Sequence, residues 1–229
     1  MPYFYFDYYY LFLVIPALLI TAWAQFNVSS TFRRYNNLRS SQGITADEVA
    51  RRILDQNGLY QVQIERVQGN LSDHYDPRSN VVRLSDSTYG NSSVGAIGVA
   101  AHEVGHAIQH ATGYFPIKIR QAIIPVTQIG STIAIPLAIL GIIMSWNFLI
   151  SIGIILFAAV VLFQLVTLPV EYNASRRAVR TLESEHLLEG EEFTGAKKVL
   201  NAAALTYVAA LLVALANLIR LIALANRRR

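Results

Sequence analysis

Between Arg120 and Glu171 the chain carries no Asp, Glu, Lys or Arg for fifty residues, from position 121 to 170. A single membrane span needs about 20 apolar residues, so this stretch is too long for one crossing and suits two joined by a tight turn. Trp146-Asn147 is the natural turn, giving helices over about Ile123–Ser145 and Phe148–Pro169. Pro125, Pro136 and Pro169 fall within or at the ends of these helices, where neighbouring helices can re-satisfy freed backbone groups. A second uncharged stretch lies between Asp7 and Arg33, and Tyr8 to Phe26 within it is mostly apolar. Tyr3, Tyr5, Tyr8, Tyr9 and Tyr10 gather at its start, where amphipathic rings favour the membrane–water interface. Ala22-Trp23-Ala24 resembles a signal-peptide cleavage site, but no Lys or Arg precedes the apolar run, so a retained first helix is favoured. Val199–Ile219 is a further uncharged stretch, a fourth span or a helix packed along the domain surface.

Charged residues make up 15% of the 229 residues, against about a quarter in soluble proteins. A water-exposed globule is therefore excluded, and with no cysteine so is a disulfide scaffold. A net charge of +4 in so apolar a chain speaks for membrane topology rather than nucleic acid. Arg33, Arg34, Arg39, Lys118, Arg120, Arg176, Arg177, Arg180, Lys197 and Lys198 all fall on one side of the proposed spans. The positive-inside bias puts that side, segments 27–121 and 171–198, in the cytoplasm of a multi-pass cell-membrane protein. The tail Arg227-Arg228-Arg229 fits this poorly if the last helix crosses.

The polar segments read as a small α+β domain with helices continuing into the membrane. Thr45 and Glu48 make a capping box for a helix that Gly58 closes, and Leu59 to Val67 alternates as a strand. Asp73-His74-Tyr75-Asp76 has loop composition, and Val81-Val82-Arg83-Leu84 reads as a second strand, either an edge for an extended peptide or a core strand. Ser92 or Ser93 caps a helix from about Val94 to Thr112, and a further helix opens at Glu171, runs to Leu188 and stops at Gly190. The expected organisation is an N-terminal transmembrane helix (1–26), a first part of the polar domain (27–121), a transmembrane hairpin (122–170), a second part of the polar domain (171–198) and a C-terminal apolar helix, transmembrane by its length, with a basic tail (199–229). The fold class is α+β, predominantly helical, a multi-pass membrane protein with a small cytoplasmic domain.

Chemistry concentrates at His102-Glu103-Val104-Gly105-His106, an HExxH inside a helical pattern. Residues four apart share a helix face, so His102 and His106 can present nitrogens to one ion. Zn²⁺ suits neutral imidazole, and with no thiols the remaining ligand must be His, Asp or Glu. Glu103 is offset around the helix, placed to act as a base rather than to bind. Thr112 rules out the metzincin pattern, and His110 lies a further turn along, beyond the reach of one tetrahedral ion. Glu171 is the better candidate for a third ligand, since a carboxylate at the end of a charge-free run is costly unless it is paired, either with a metal or with Arg176 or Arg177.

His102-Glu103-Val104-Gly105-His106 followed by Glu171-Tyr172-Asn173-Ala174-Ser175-Arg176-Arg177-Ala178 resembles the gluzincin arrangement of HtpX/Ste24-type membrane metallopeptidases. Over nearly the whole chain the likeness is greatest to the YugP-like neutral zinc metallopeptidases. The resemblance implies His102, His106 and Glu171 as ligands of one Zn²⁺ per chain, and Glu103 as catalytic base. HtpX/Ste24-type enzymes usually carry Asp four residues after the ligand Glu; here Ser175 takes that place as a weaker partner for a ligand. The expected activity is endopeptidase cleavage of proteins or peptides at the cytoplasmic membrane face, with the lipid bilayer as partner, no nucleic acid, and an oligomeric state the sequence leaves open. The alternative is an inactive zinc-binding scaffold or chaperone-like partner, for which Glu103 would have no use. His74, His186 and Tyr207 stand as unranked donors for a developing oxyanion.

Overall fold

The apolar stretches fold as long helices, the form in which a segment satisfies every backbone group within itself. The computed structural model describes residues 7–226; Tyr3, Tyr5 and the Arg227-Arg228-Arg229 tail lie outside the described residues. Helix α1 (Ile15–Asn36) follows a π-helical turn at Tyr10–Val14. Then come α2 (Ala46–Gln56), β1 (Gln63–Val67), β2 (His74–Asp76), β3 (Val81–Ser85), α3 (Val94–Ala111), α4 (Phe115–Ile143), α5 (Asn147–Ser184) and α6 (Gly190–Asn226). The chain is mostly helical with one small sheet. Among the described residues four helices are long and apolar enough to cross a membrane: Tyr10–Asn36, Phe115–Ile143, Asn147–Ser184 and Gly190–Asn226.

The helix expected to open at Glu171 does not begin there. Helix α5 runs unbroken through Pro169 and Glu171 and ends at Ser184 rather than Leu188. A proline removes one ladder bond, and where no water can take the freed carbonyl the rest of the helix holds. The true stop is His186 at φ +50°, with the Leu187 N–H returning to the Leu182 carbonyl at 3.0 Å. Gly190 opens α6 instead of ending its predecessor, with Glu191 and Glu192 in the first turn.

The chain divides into two compact units whose boundaries fall within the four long helices. One takes Phe26–Lys118 with Pro169–Leu205. Its core is a single cluster in which Val49, Ile53 and Leu54 of α2 pack with Ile97, Ala101 and Val104 of α3 and Leu182 of α5. Glu48 accepts the Thr45 N–H at 2.8 Å at the start of α2, and Gly58 at φ +70° closes its end. The strand expected from Leu59 begins only at Gln63, because Leu59 to Val62 are spent on the turn leaving α2.

The sheet order is β1-β3-β2, with β1 parallel and β2 antiparallel to β3. So Val81–Ser85 is the central strand, not an edge, and Val82 and Leu84 are wholly buried. The segment around His74, expected as a loop, supplies the edge strand β2. Three residues are too few to show a period of two. What holds them is the hairpin: Arg83 Nη1 lies 2.9 Å from Asp76 Oδ2, and Ser79 Oγ donates to the same oxygen at 2.7 Å. The guanidinium first, then the hydroxyl, keep the Asp76 carboxyl well below the ordinary carboxylate range.

The other unit takes the chain up to Gln25, Ile119–Leu168 and the chain from Thr206 on. Here α4 and α5 meet at backbone contact, since a Cβ on Gly153 would lie 2.8 Å from the Ala134 carbonyl oxygen. Ala134, Ala138, Phe157, Val161, Ala214 and Leu221 form its largest cluster. Arg220 lies 2.6 Å from Asp7 and 5.0 Å over the Tyr10 ring. A charge near the end of an apolar helix thus finds an opposite charge and an aromatic face. The pair also sets the end of α6 beside the start of α1, so these two helices run antiparallel within the unit.

Candidate metal centre

Helix α3 starts at Ser93, the residue of the two candidates that caps it; its Oγ accepts the Ala96 N–H at 3.2 Å and donates to Asn36 Oδ1 at 2.6 Å. From that start His102 and His106 stand one turn apart on a single face, their rings edge to face with centroids 4.8 Å apart. Glu171 comes from α5, sixty-five residues after His106, and its side chain is only 2% exposed. Its Oε2 lies 3.2 Å from His102 Nε2 and 3.4 Å from His106 Nε2. Among the described residues this trio alone groups three metal-ligating side chains, with ligand atoms within 4.8 Å of one another. Along the same helix, Arg177 Nε donates to Asn173 Oδ1 at 2.9 Å.

Donors about 2.0–2.1 Å from a tetrahedral zinc are about 3.3 Å from each other. The two nitrogen–oxygen separations match that edge length, so the residues present fit a zinc ion. Each ring also turns its second nitrogen to a protein partner: His102 Nδ1 lies 3.1 Å from Ser175 Oγ, and His106 Nδ1 lies 3.0 Å from Gln109 Oε1. Such contacts hold the rings with Nε2 presented to the site. Ser175 stands where the sequence placed a partner for a ligand. Gln109 carries no signal in the sequence, because a glutamine one turn after a histidine is an ordinary helix residue until α5 is packed against it.

Glu103 has a partner of its own. Its Oε2 accepts the Tyr75 backbone N–H of β2 at 3.0 Å, which ties this carboxylate to the sheet edge and keeps it outside the trio. His110 is outside it too, its ring 5.9 Å from that of Tyr75. His186 sits in the exposed turn after α5 with Nδ1 3.1 Å from Glu189, and His74 Nδ1 lies 2.8 Å from the Ser72 carbonyl. Tyr207 belongs to the other unit.

The glycine inside the motif explains how two ligand-bearing helices come this close. A Cβ on Gly105 would sit 2.7 Å from the Ala174 carbonyl oxygen, a backbone atom that cannot swing aside. Gly105→Ala is therefore expected to separate α3 from α5 and cost about 1–3 kcal/mol, as overpacking of a tight core does. Thermal unfolding in detergent, read with zinc affinity, checks this: both should fall together. Ser175→Ala should weaken zinc binding by about 10-fold through the unheld His102 ring, measured by chelator competition. Ser175→Asp, with a stronger acceptor, should recover at least the original affinity.

A zinc-compatible His-His-Glu centre shared between α3 and α5, the latter long and apolar enough to cross a membrane, fits the class of membrane-associated zinc metallopeptidases. The chain belongs to the family described as "putative neutral zinc metallopeptidase", whose model matches residues 10–226. It is 51% identical over 213 residues to "Putative membrane protease YugP" of Bacillus subtilis (strain 168), covering 93% of this chain and 95% of that protein. The likeness drawn from the motif residues thus extends over most of the chain. No solved structure matches it.

Proposed function

We propose that the chain is an integral-membrane zinc endopeptidase, a gluzincin, that cleaves membrane-associated proteins or peptides at the cytoplasmic face. The observation that carries this reading is the convergence of His102 Nε2 and His106 Nε2 on Glu171 Oε2 at 3.2 and 3.4 Å, near the donor–donor separation around a tetrahedral zinc. These three side chains would hold one zinc ion. Bound zinc supplies Lewis acidity, which makes a water nucleophilic near neutral pH and polarises the scissile carbonyl. Glu103, the motif residue left out of the donor set, takes the water's proton and returns it to the leaving amine. The Tyr75 N–H holds that carboxylate in place at 3.0 Å.

The substrate is an extended peptide laid beside β2, the sheet edge that reaches Glu103. Backbone pairing there binds many sequences with little side-chain selection. The first described charge, Asp7, and the late-helix Arg220 meet at one end of their unit, which favours α6 as a fourth crossing. The basic residues flanking the spans then orient the catalytic residues to the cytoplasm.

The test is metal removal from the purified full-length protein in detergent. Treatment with 1,10-phenanthroline should abolish casein cleavage, and one equivalent of zinc should restore it. Stoichiometric zinc on a protein with no cleavage of any unfolded or membrane-derived substrate would favour the scaffold instead. Cleavage that survives complete metal removal would overturn the metallopeptidase reading.

A further inference from the structure

The side chain of Gln109 is fully buried and makes polar contacts at both of its ends. It follows His106 by three residues, so on α3 it returns to the same face. At one end Oε1 lies 3.0 Å from His106 Nδ1. At the other, Nε2 lies 2.8 Å from the Val170 carbonyl and 3.0 Å from Asn173 Oδ1, both on α5. Asn173 Oδ1 also takes the Arg177 Nε–H at 2.9 Å, which identifies that atom as the acceptor. Two acceptors on one side can be served only by the amide nitrogen, so the amide oxygen faces the imidazole. His106 then carries its hydrogen on Nδ1, leaving the Nε2 lone pair directed at the site.

We propose that Gln109 is a positioning residue: it sets the tautomer of His106 and, through the Val170 carbonyl, locks that ring to the backbone immediately before Glu171. The inference rests on the zinc-site reading above and assigns the residue that holds two of its ligands in register. An amide is the side chain suited to this task, since it offers an acceptor at one end and two donors at the other. A methionine of similar length offers neither. A glutamate keeps the acceptor for His106. The contrast with His102 is physical, because the Ser175 hydroxyl can rotate and its hydrogen bond specifies direction less strictly.

Gln109→Met in the full-length protein, in detergent, tests this by zinc competition against a chromophoric chelator and by the visible spectrum of the Co²⁺-substituted protein. Gln109→Met should bind zinc about 10–100-fold more weakly with unchanged helicity and elution, and should shift the Co²⁺ bands. Gln109→Glu should recover part of that affinity. Wild-type affinity and an unchanged spectrum in Gln109→Met would overturn the proposal, as would a glutamate variant no better than methionine. If Gln109→Met loses helicity, Asn173→Ala decides: removing one of the two amide acceptors should weaken zinc severalfold, and no change would overturn the tether. A wild-type protein that binds no zinc through His102, His106 and Glu171 would overturn both readings, whereas an effect absent only at Gln109 removes the tether alone.

Discussion

Glu103→Gln should slow peptide hydrolysis by about 10²–10⁴-fold and leave zinc content unchanged, the span expected for loss of a general base. The two effects separate because Glu103 stands outside the donor set: Oε2 is engaged by the Tyr75 N–H, while the Nε2 atoms of both histidines face Glu171. Glutamine has the same length and keeps an oxygen for the Tyr75 N–H, so neither β2 nor α3 needs to move. It cannot take a proton. Metal analysis together with steady-state casein cleavage in detergent measures both quantities on one sample. Equal activity in the variant and the wild type, with zinc bound in each, would remove Glu103 from the mechanism and the enzyme reading with it.

Glu171→Ala should weaken zinc binding by more than about 100-fold, beyond what loss of a supporting hydrogen bond costs. The carboxylate is the only anionic donor of the trio, and at 2% exposure no water-borne group readily replaces it. Two imidazoles one turn apart would remain, a weaker and incomplete set. Because truncation also leaves a void beside α3, the control is Glu171→Gln, which keeps the volume and removes the charge. Both variants should lose zinc while far-ultraviolet circular dichroism stays near wild type. Zinc affinity unchanged in Glu171→Gln would place the third donor elsewhere.

The parts of this site that were legible in the sequence are those that local geometry dictates. His102 and His106 share a face because a helix repeats every 3.6 residues, whatever packs around it. Glu171 was legible for a different reason: a carboxylate closing a charge-free run needs a partner, and that need does not depend on the exact fold. Its place within a continuous α5 was not legible, because a proline followed by charged residues reads as a helix boundary in water and not beside a membrane. The edge strand His74–Asp76 escaped for want of length, and β3 proved central because its neighbours, not its own residues, decide which strand lies outside.

What sequence alone determined, then, is that the chain carries helices long and apolar enough to cross a membrane and that His102, His106 and Glu171 are the candidate donors, since these follow from hydropathy, helical spacing and the cost of an unpaired carboxylate. Tertiary structure decided the rest: that Gly105 lets α3 reach the α5 backbone, that Tyr75 holds Glu103, and that Gln109 and Ser175 hold the rings. These are contacts between residues up to seventy-three positions apart. No local propensity encodes them; they exist only where two helices and a strand, each formed for its own reasons, pack against one another.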